Sequence, residues 1–267
     1  MRIPRFVFLF VLFTFAKSML AQQATASSPQ AVALLQQSLT ALTGGHPITD
    51  VTLSGTAQRI AGSDNESGTA ILQGIAAGAS SVNLTLPSGT RTEIENCSTT
   101  PPAGVWSGPD GVSHPIAFQN LLTGPSWFFP AFTIAQGLSV SGYVAAYIGA
   151  ETHNGQAVQH VSLSQPSLFP SPQGAASSSH LTQVDLFLDS ATSLPDAITF
   201  SIHPDSNFLA DIPVEIDFSN YTLVNGVPVP FRVQKFLNNT LFLDIQVSSA
   251  VLNSGLSPTI FTVGAGL

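Results

Sequence analysis

Apolar and polar positions along this chain recur with two different periods. Val32, Leu35, Leu39 and Leu42 stand at i, i+3, i+7 and i+10, which is one face of a helix. Ser28 is placed as an N-cap, Pro29 as the first helical residue, and Gly44-Gly45 as the stop. The spacing predicts one amphipathic helix between them, lying against something apolar. After Asp50 the period drops to two, in Val51/Leu53, Ile71/Gln73/Ile75 and Val82/Leu84/Leu86. Arg91, Glu93 and Glu95 put charge on one strand face, with Thr92 and Ile94 on the other. Gly62-Ser63-Asp64-Asn65, Gly78-Ala79, Pro87-Ser88-Gly89 and Pro101-Pro102 separate these runs as turns. Val105-Trp106 and Gly111-Val112 predict a short hairpin around Gly108-Pro109-Asp110.

The middle of the chain has neither period. Ile116 to Phe132 is apolar nearly all round, and Gly124-Pro125 divides it into two short helical pieces. Helices this short do not stand alone in water, so they are expected to cover a core or a cavity. Beyond them, Tyr143 to Glu151 and Gln156 to Leu163 flank Asn154-Gly155, a strong hairpin signal. Gln165 to Ser179, rich in Pro and Ser, is expected to be a mobile loop. Five further strands are predicted at Leu181–Asp189, Ile198–His203, Ile212–Leu223, Val229–Leu237 and Leu241–Leu252. Ser190-Ala191-Thr192 and Asn225-Gly226 make tight connections. Ten or eleven strands in sequence-neighbour order, with no βαβ alternation, imply an antiparallel meander. The expected class is mainly β (α+β): a curved antiparallel sheet or incomplete barrel with an amino-terminal helix and a short helical lid.

Residues 1–21 change the picture at the amino terminus. Arg2 and Arg5 precede the apolar run Phe6 to Ala16, and Ser18-Met19-Leu20-Ala21 offers a cleavage site. This is the pattern of an export signal, shorter than the roughly 20 residues of a membrane span and interrupted by Lys17. No cysteine follows it, so no lipid-anchor site is expected. The expected organisation is a signal at 1–21, a linker at 22–28 and one domain over 29–267, in a periplasmic or secreted protein with no span after cleavage.

Only 8% of the 267 residues are charged, against about 25% in ordinary proteins. Of seven Lys and Arg, three lie in the first seventeen positions. Arg59, Arg91, Arg232 and Lys235 are left to face 15 acidic residues. That balance excludes a general nucleic-acid binder, which needs clustered cations. It also excludes a polybasic membrane-surface protein. The single cysteine, Cys97, excludes a disulfide scaffold and has no basic neighbour in sequence to activate it.

Candidate chemistry is sparse. No G-x-S-x-G occurs; Gly111-Val112-Ser113-His114 lacks the trailing glycine. The six histidines lack the i, i+4 helical spacing of a zinc motif, and are read as surface residues. In the Asn154-Gly155 hairpin, position 153 should pair with 156 and 160 with 149. Asp185 and Asp189, and Glu215 and Asp217, share strand faces, read as a solvated outer surface over buried Val184/Leu186/Leu188 and Val214/Ile216/Phe218. No catalytic residue, metal or cofactor is assigned. The aromatic content of the middle segment is the remaining signal.

The order of elements resembles the periplasmic lipoprotein carriers of Gram-negative bacteria, the LolA/LolB-like fold. Val184-Asp185-Leu186-Phe187-Leu188-Asp189 through Leu194-Pro195 is similar to that family's strand-turn-strand motif. Val214 to Tyr221, followed by Val224-Asn225-Gly226-Val227-Pro228-Val229-Pro230, resembles a second motif, and Val251 to Phe261 fits the family's end. Pro87 to Glu93 loosely matches an early strand. The resemblance covers most of the chain beyond the signal and implies an unclosed barrel around a hydrophobic cavity, closed by helices. It implies a secreted bacterial member, poorer in basic residues than the carriers themselves. The lid residues would be Phe118, Leu121, Leu122, Trp127, Phe128, Phe129 and Phe132. The cavity walls would come from Leu84, Leu86, Tyr143, Tyr147, Phe187, Phe200, Phe218 and Phe242. The expected function is non-enzymatic binding or shuttling of a lipid or acyl chain. The alternative is an envelope interaction module with a filled core, so the partner is either a hydrophobic ligand or an envelope protein. Oligomeric state is left open.

Overall fold

The computed structural model describes residues 26–124, 126–169 and 171–264. The predicted signal, most of the predicted linker and Pro125 lie outside the described residues. Helix α1 (Pro29–Thr43) begins as expected: Ser28 Oγ accepts from Ala31 N, and Gly44 closes the helix with φ 60°. Leu35 and Leu42 are fully buried, whereas Val32 and Leu39 are partly buried.

Six strands follow: β1 (Asp50–Ala61), β2 (Asp64–Ile75), β3 (Ala79–Leu86), β4 (Gly89–Asn96), β5 (Ala103–Ser107) and β6 (Ser113–Pro115). The predicted hairpin around Gly108-Pro109-Asp110 exists, but its return strand starts at Ser113 rather than Gly111. A 3-10 turn (Phe118–Leu121) and helix α2 (Pro130–Ser139) then lead to β7 (Val144–His153) and β8 (Gln156–Ser164). The second lid helix therefore starts later than its apolar run, because Ser126–Phe128 form a turn. Asn154 (φ 48°) and Gly155 (φ 82°) make the tight hairpin between β7 and β8.

The chain continues through α3 (Pro172–Thr182), β9 (Val184–Asp189), β10 (Pro195–Ile202), β11 (Ile212–Val224), β12 (Val227–Leu237) and β13 (Thr240–Leu252). Helix α3 corrects the expected loop at 165–179 and removes residues 181–183 from the predicted strand. Ser171 caps it by accepting from Gly174 N, the same Ser-Pro start as α1.

All thirteen strands among the described residues join one antiparallel sheet in the order β6-β5-β4-β3-β2-β1-β13-β12-β11-β10-β9-β8-β7. Every sequence neighbour pairs except β6 and β7, which form the two free edges. The segment from the 3-10 turn to α2 joins those edges, so it must cross the sheet. The last strand, β13, pairs with the first, β1, bringing Leu252 opposite Val51. Asp50 fastens this seam: its carboxylate accepts from Ser254 N and Oγ at 2.7 Å and from Gly255 N at 3.0 Å. Burial opposes ionisation of Asp50, but these bonds, with one from Thr49, outweigh it and hold the carboxyl below its usual range.

The buried core lies on the helix-bearing face. It joins Leu35 and Leu42 of α1, Phe132 and Ile134 of α2 and alternate residues of β1, β2, β3 and β8 to β13. One cross-strand row runs from that core outward: Leu53, Leu72, Val82, Glu93 and Trp106 are successive partners across β1 to β5. Leu53 and Leu72 have no exposed surface, whereas Trp106 is 46% exposed. The row climbs from the core to an open mouth.

Candidate functional site: the cleft at Trp127

Trp127 sits in the turn before α2 and is 4% exposed. Its Nε1 donates to Glu93 Oε1 on β4 at 3.4 Å, and Lys235 Nζ of β12 lies 4.6 Å from its ring centroid. In sheet order β4 and β12 are five strand spacings apart, about 24 Å on a flat sheet. One indole reaches both, so the sheet is bent into a trough and Trp127 is a strut across it. Phe128 and Phe129 follow with edge-to-face contacts, Trp127–Phe128 at 5.6 Å and Phe129–Phe132 at 4.9 Å. On the other side of the lid, Asn120 clasps the backbone of His203, donating to its carbonyl at 2.9 Å and accepting from its N–H at 2.7 Å.

Trp127 separates two recesses. The larger, about 270 Å³, has Val82, Leu84, Phe242 and Leu243 as apolar walls and includes Arg59, Arg91, Glu93 and Lys235. The smaller, about 180 Å³, adds Glu95, Phe200 and Ile202 on the far side of the indole. Trp106, stacked on His114 at 4.4 Å, borders both. Below them the trough is filled: Phe128, Phe129, Phe132 and Ile134 are all buried to 2% or less.

Three of the four basic residues beyond Lys17 thus line one recess. Arg59 lies 5.3 Å from the Phe242 ring centroid. Among the described residues the Arg91 side chain makes a long 3.8 Å contact with Glu66 and a 3.3 Å bond to Ser88 Oγ. Burial and the neighbouring Arg91 charge hold the Arg59 guanidinium below its usual pKa. Glu95 is carried well above the carboxylate range by burial and by Glu93, with Lys235 opposing. Burial, then Glu95, pushes the Cys97 thiol up to about 12, and Cys97 Sγ donates to Leu121 O.

The expected site residues divide into groups. Trp127, Leu84 and Phe242 line the larger recess and Phe200 the smaller. Phe128, Phe129, Phe132, Leu86 and Phe218 are core fillers, in contact with neither recess. Leu121 is buried against Gly104, where an added Cβ would meet its Cδ2 at 2.7 Å. Leu122 is half-buried and Phe118 is 43% exposed. Tyr143 and Tyr147 pack at the core margin, Tyr147 donating to Gln159 at 2.8 Å. Phe187 is on the opposite face of the sheet: its partners His160 and Ala197 alternate with core-facing Val161 and Ile198, and His153 stacks on it at 4.0 Å.

The charged members of the cleft were not singled out from the sequence. Arg91 and Glu93 pair with Leu84 and Val82, so they share the concave face with them. The alternation of charge with Thr92 and Ile94 did mark a common face, but not which side it turned to.

Two other groupings have the donors of a cation site: His180, His203 and Asp211, and His153, Glu215 and Asp217, each with donor atoms within 4.8 Å. His203 corrects the reading of all histidines as surface residues, being 3% exposed. The hairpin register is as expected, with His153 opposite Gln156 and His160 opposite Gly149. Both groupings are tied internally, His180 Nε2 to Asp211 at 3.1 Å and His153 Nε2 to Glu215 at 3.0 Å.

Glu215 and Asp217 share the face opposite the cleft. Burial, the Glu215 charge and a hydrogen bond with Glu215 push Asp217 up to about 7. An acid whose folded pKa is raised costs stability once it must ionise. Stability should therefore decline as pH rises from about 4 to about 7. Asp217→Asn should remove that decline, about 1–2 kcal/mol after solvent screening, in urea melts from pH 4 to 8. Equal slopes for the two proteins would show that the Asp217 carboxyl is not raised in the folded state.

No family model matches the chain. No curated protein matches it in sequence. Solved structures do resemble it in fold. A domain described as outer-membrane lipoprotein-sorting, from Vibrio parahaemolyticus, is 12% identical with a TM-score of 0.53, over 87% of this chain and 96% of that one. A LolA superfamily protein from Nitrosomonas europaea is 14% identical with a TM-score of 0.52, over 87% and 97%. A DUF1329 family protein from Desulfovibrio piger is 12% identical with a TM-score of 0.53, over 89% and 98%. The chain has the LolA-like fold, an unclosed antiparallel sheet around helices.

Proposed function

We propose that this protein is a non-enzymatic binder of a hydrophobic or amphipathic ligand, held in the cleft at Trp127. The observation that carries this reading is the larger recess, apolar-walled, open at the Trp106 mouth and roofed by one indole. At about 270 Å³ it falls just below the roughly 300–1,000 Å³ of ordinary ligand pockets. That size suits a single acyl or alkyl chain, and a two- or three-chain lipid would require the lid to move. The fold is shared with a domain described as lipoprotein-sorting, which is consistent with a lipid-handling role in the envelope. The export pattern of residues 1–21 supports a role in the periplasm or outside the cell.

The test is solvent extraction and native mass spectrometry of the purified protein, with titration of an apolar fluorescent probe. Saturable probe binding, weakened about tenfold or more by Trp127→Ala, is expected. No co-purified lipid and no saturable site would overturn the reading. The filled trough under Phe128 and Phe132 would then favour the second reading, an interaction module without a ligand.

A further inference from the structure

We propose that the larger recess is specific for an anionic head group: its ligand is a single-chain amphiphile whose carboxylate or phosphate is held by Arg59, Arg91 and Lys235. This rests on the reading of the cleft as a hydrophobic-ligand site and adds the chemistry of the ligand's polar end.

The placement of charge is the first argument. The chain holds 15 acids, enough to pair every cation. Arg232, on the opposite face, is paired in this way, its Nη2 and Nε donating to Asp244 at 2.7 and 3.2 Å. None of the three recess cations has so close a carboxylate partner among the described residues. Arg59 and Lys235 lie over aromatic rings, and Arg91 reaches Glu66 only at 3.8 Å. Glu66, opposite Arg59 on β2, accepts from Ser88 N and Oγ, and Glu93 accepts from the Trp127 indole N–H.

Unmet hydrogen-bonding capacity is the second argument. Arg59 Nη1 and Arg91 Nε are both buried and have no hydrogen-bond partner among the described residues. A buried donor without an acceptor is costly, and more so on a charged group. Two such donors, on two like charges that raise each other's energy, border the same recess. An anion would satisfy both, since a guanidinium presents a planar fork matched to carboxylate and phosphate oxygens.

Register supplies the third argument. Lys235, Leu243, Arg59 and Glu66 are successive partners across β12, β13, β1 and β2. Lys235 and Arg59 therefore flank Leu243 at two strand spacings, about 10 Å apart. A head group seated over Leu243 meets a cation on either side, with Arg91 of β4 bordering the same space. The apolar surface of Val82 and Leu84 is left for the chain.

The experiment uses the full protein and a head-group series on one ten-carbon chain: decanoate, decyl phosphate, neutral decyl maltoside and cationic decyltrimethylammonium. Acetate and inorganic phosphate are added as tail-free anions, and binding is followed by calorimetry. Decanoate or decyl phosphate should bind at least about tenfold tighter than the maltoside, and this margin should shrink with salt. Arg59→Gln/Arg91→Gln should bring the anionic-to-neutral ratio close to one, whereas Arg232→Gln should keep it. Lys235→Met, read the same way, serves if the double variant does not fold. Equal affinity for all head groups would overturn this proposal and leave the hydrophobic-ligand reading standing. Inorganic phosphate binding as tightly as decyl phosphate would assign the recess to a free anion and also overturn it. No binding by any amphiphile would remove both.

Discussion

Phe128→Ala should lower the free energy of unfolding by about 3–5 kcal/mol, seen as a fall in the urea midpoint at unchanged slope. The ring has no exposed surface and meets Trp127 edge-on at 5.6 Å. The sheet below it approaches as bare backbone: a Cβ added at Gly74 would stand 3.4 Å from Phe128 Cζ and 2.8 Å from Ser126 Oγ. No side chain stands at Gly74 to swing into the vacated volume, so the full cost of a cavity should appear. With typical domain stabilities of about 5–15 kcal/mol, this one truncation removes a large share. Phe128 borders neither recess, so the folded fraction should still bind ligand. A midpoint unchanged from the native protein would show that the lid is an accessory to the core and no part of it.

Gly68→Ala should be comparably severe, about 3 kcal/mol or a failure to fold, for a different reason. A Cβ there would lie 2.0 Å from the carbonyl oxygen of Thr85 and 2.9 Å from its carbon. Gly55 meets Gln246 O at the same 2.0 Å, next to the register shift between β1 and β13. The obstacle at both sites is neighbouring backbone, which cannot rotate away as a side chain can. Strands that bend sharply need such positions, because a Cβ on the inside of the bend collides with the adjacent strand. Circular dichroism and urea melts of Gly68→Ala and Gly55→Ala test this. Native-like midpoints would mean that the trough has slack at its bend.

Much of this architecture can be read from local chemistry. Ser28-Pro29 and Gly44 bound α1 correctly, and Asn154-Gly155 places the β7–β8 hairpin, because caps and tight turns are decided by a few residues. Helix α3 carries the same Ser-Pro start at Ser171 but follows it with Ala, Ser and Gly, so no apolar stripe marks it. The three-residue β6 is too short to show alternation, and thirteen strands were read as ten or eleven. The cleft was legible only in part. Trp127 stood out as an aromatic in excess of need. Arg59, Arg91 and Lys235 are far apart in sequence, and only the wrapping of β12 over towards β4 brings them to one recess. Only 8% of the chain is charged, yet three of its four basic residues beyond Lys17 are gathered at one recess.

The pairing of β13 with β1 sets a schedule for the growing chain. Val51 waits for Leu252, some two hundred residues later, or roughly 10–40 s at ordinary synthesis rates. Throughout that interval β1 to β6 can zip together while the far side of β1 offers a bare row of backbone donors and acceptors. The first strand to be made is the last to be sealed on both sides, and its open edge is a template for any other strand it meets. A nascent form of this protein should therefore need shielding until its final strand arrives, and truncation of β13 should yield aggregates in place of a smaller folded domain.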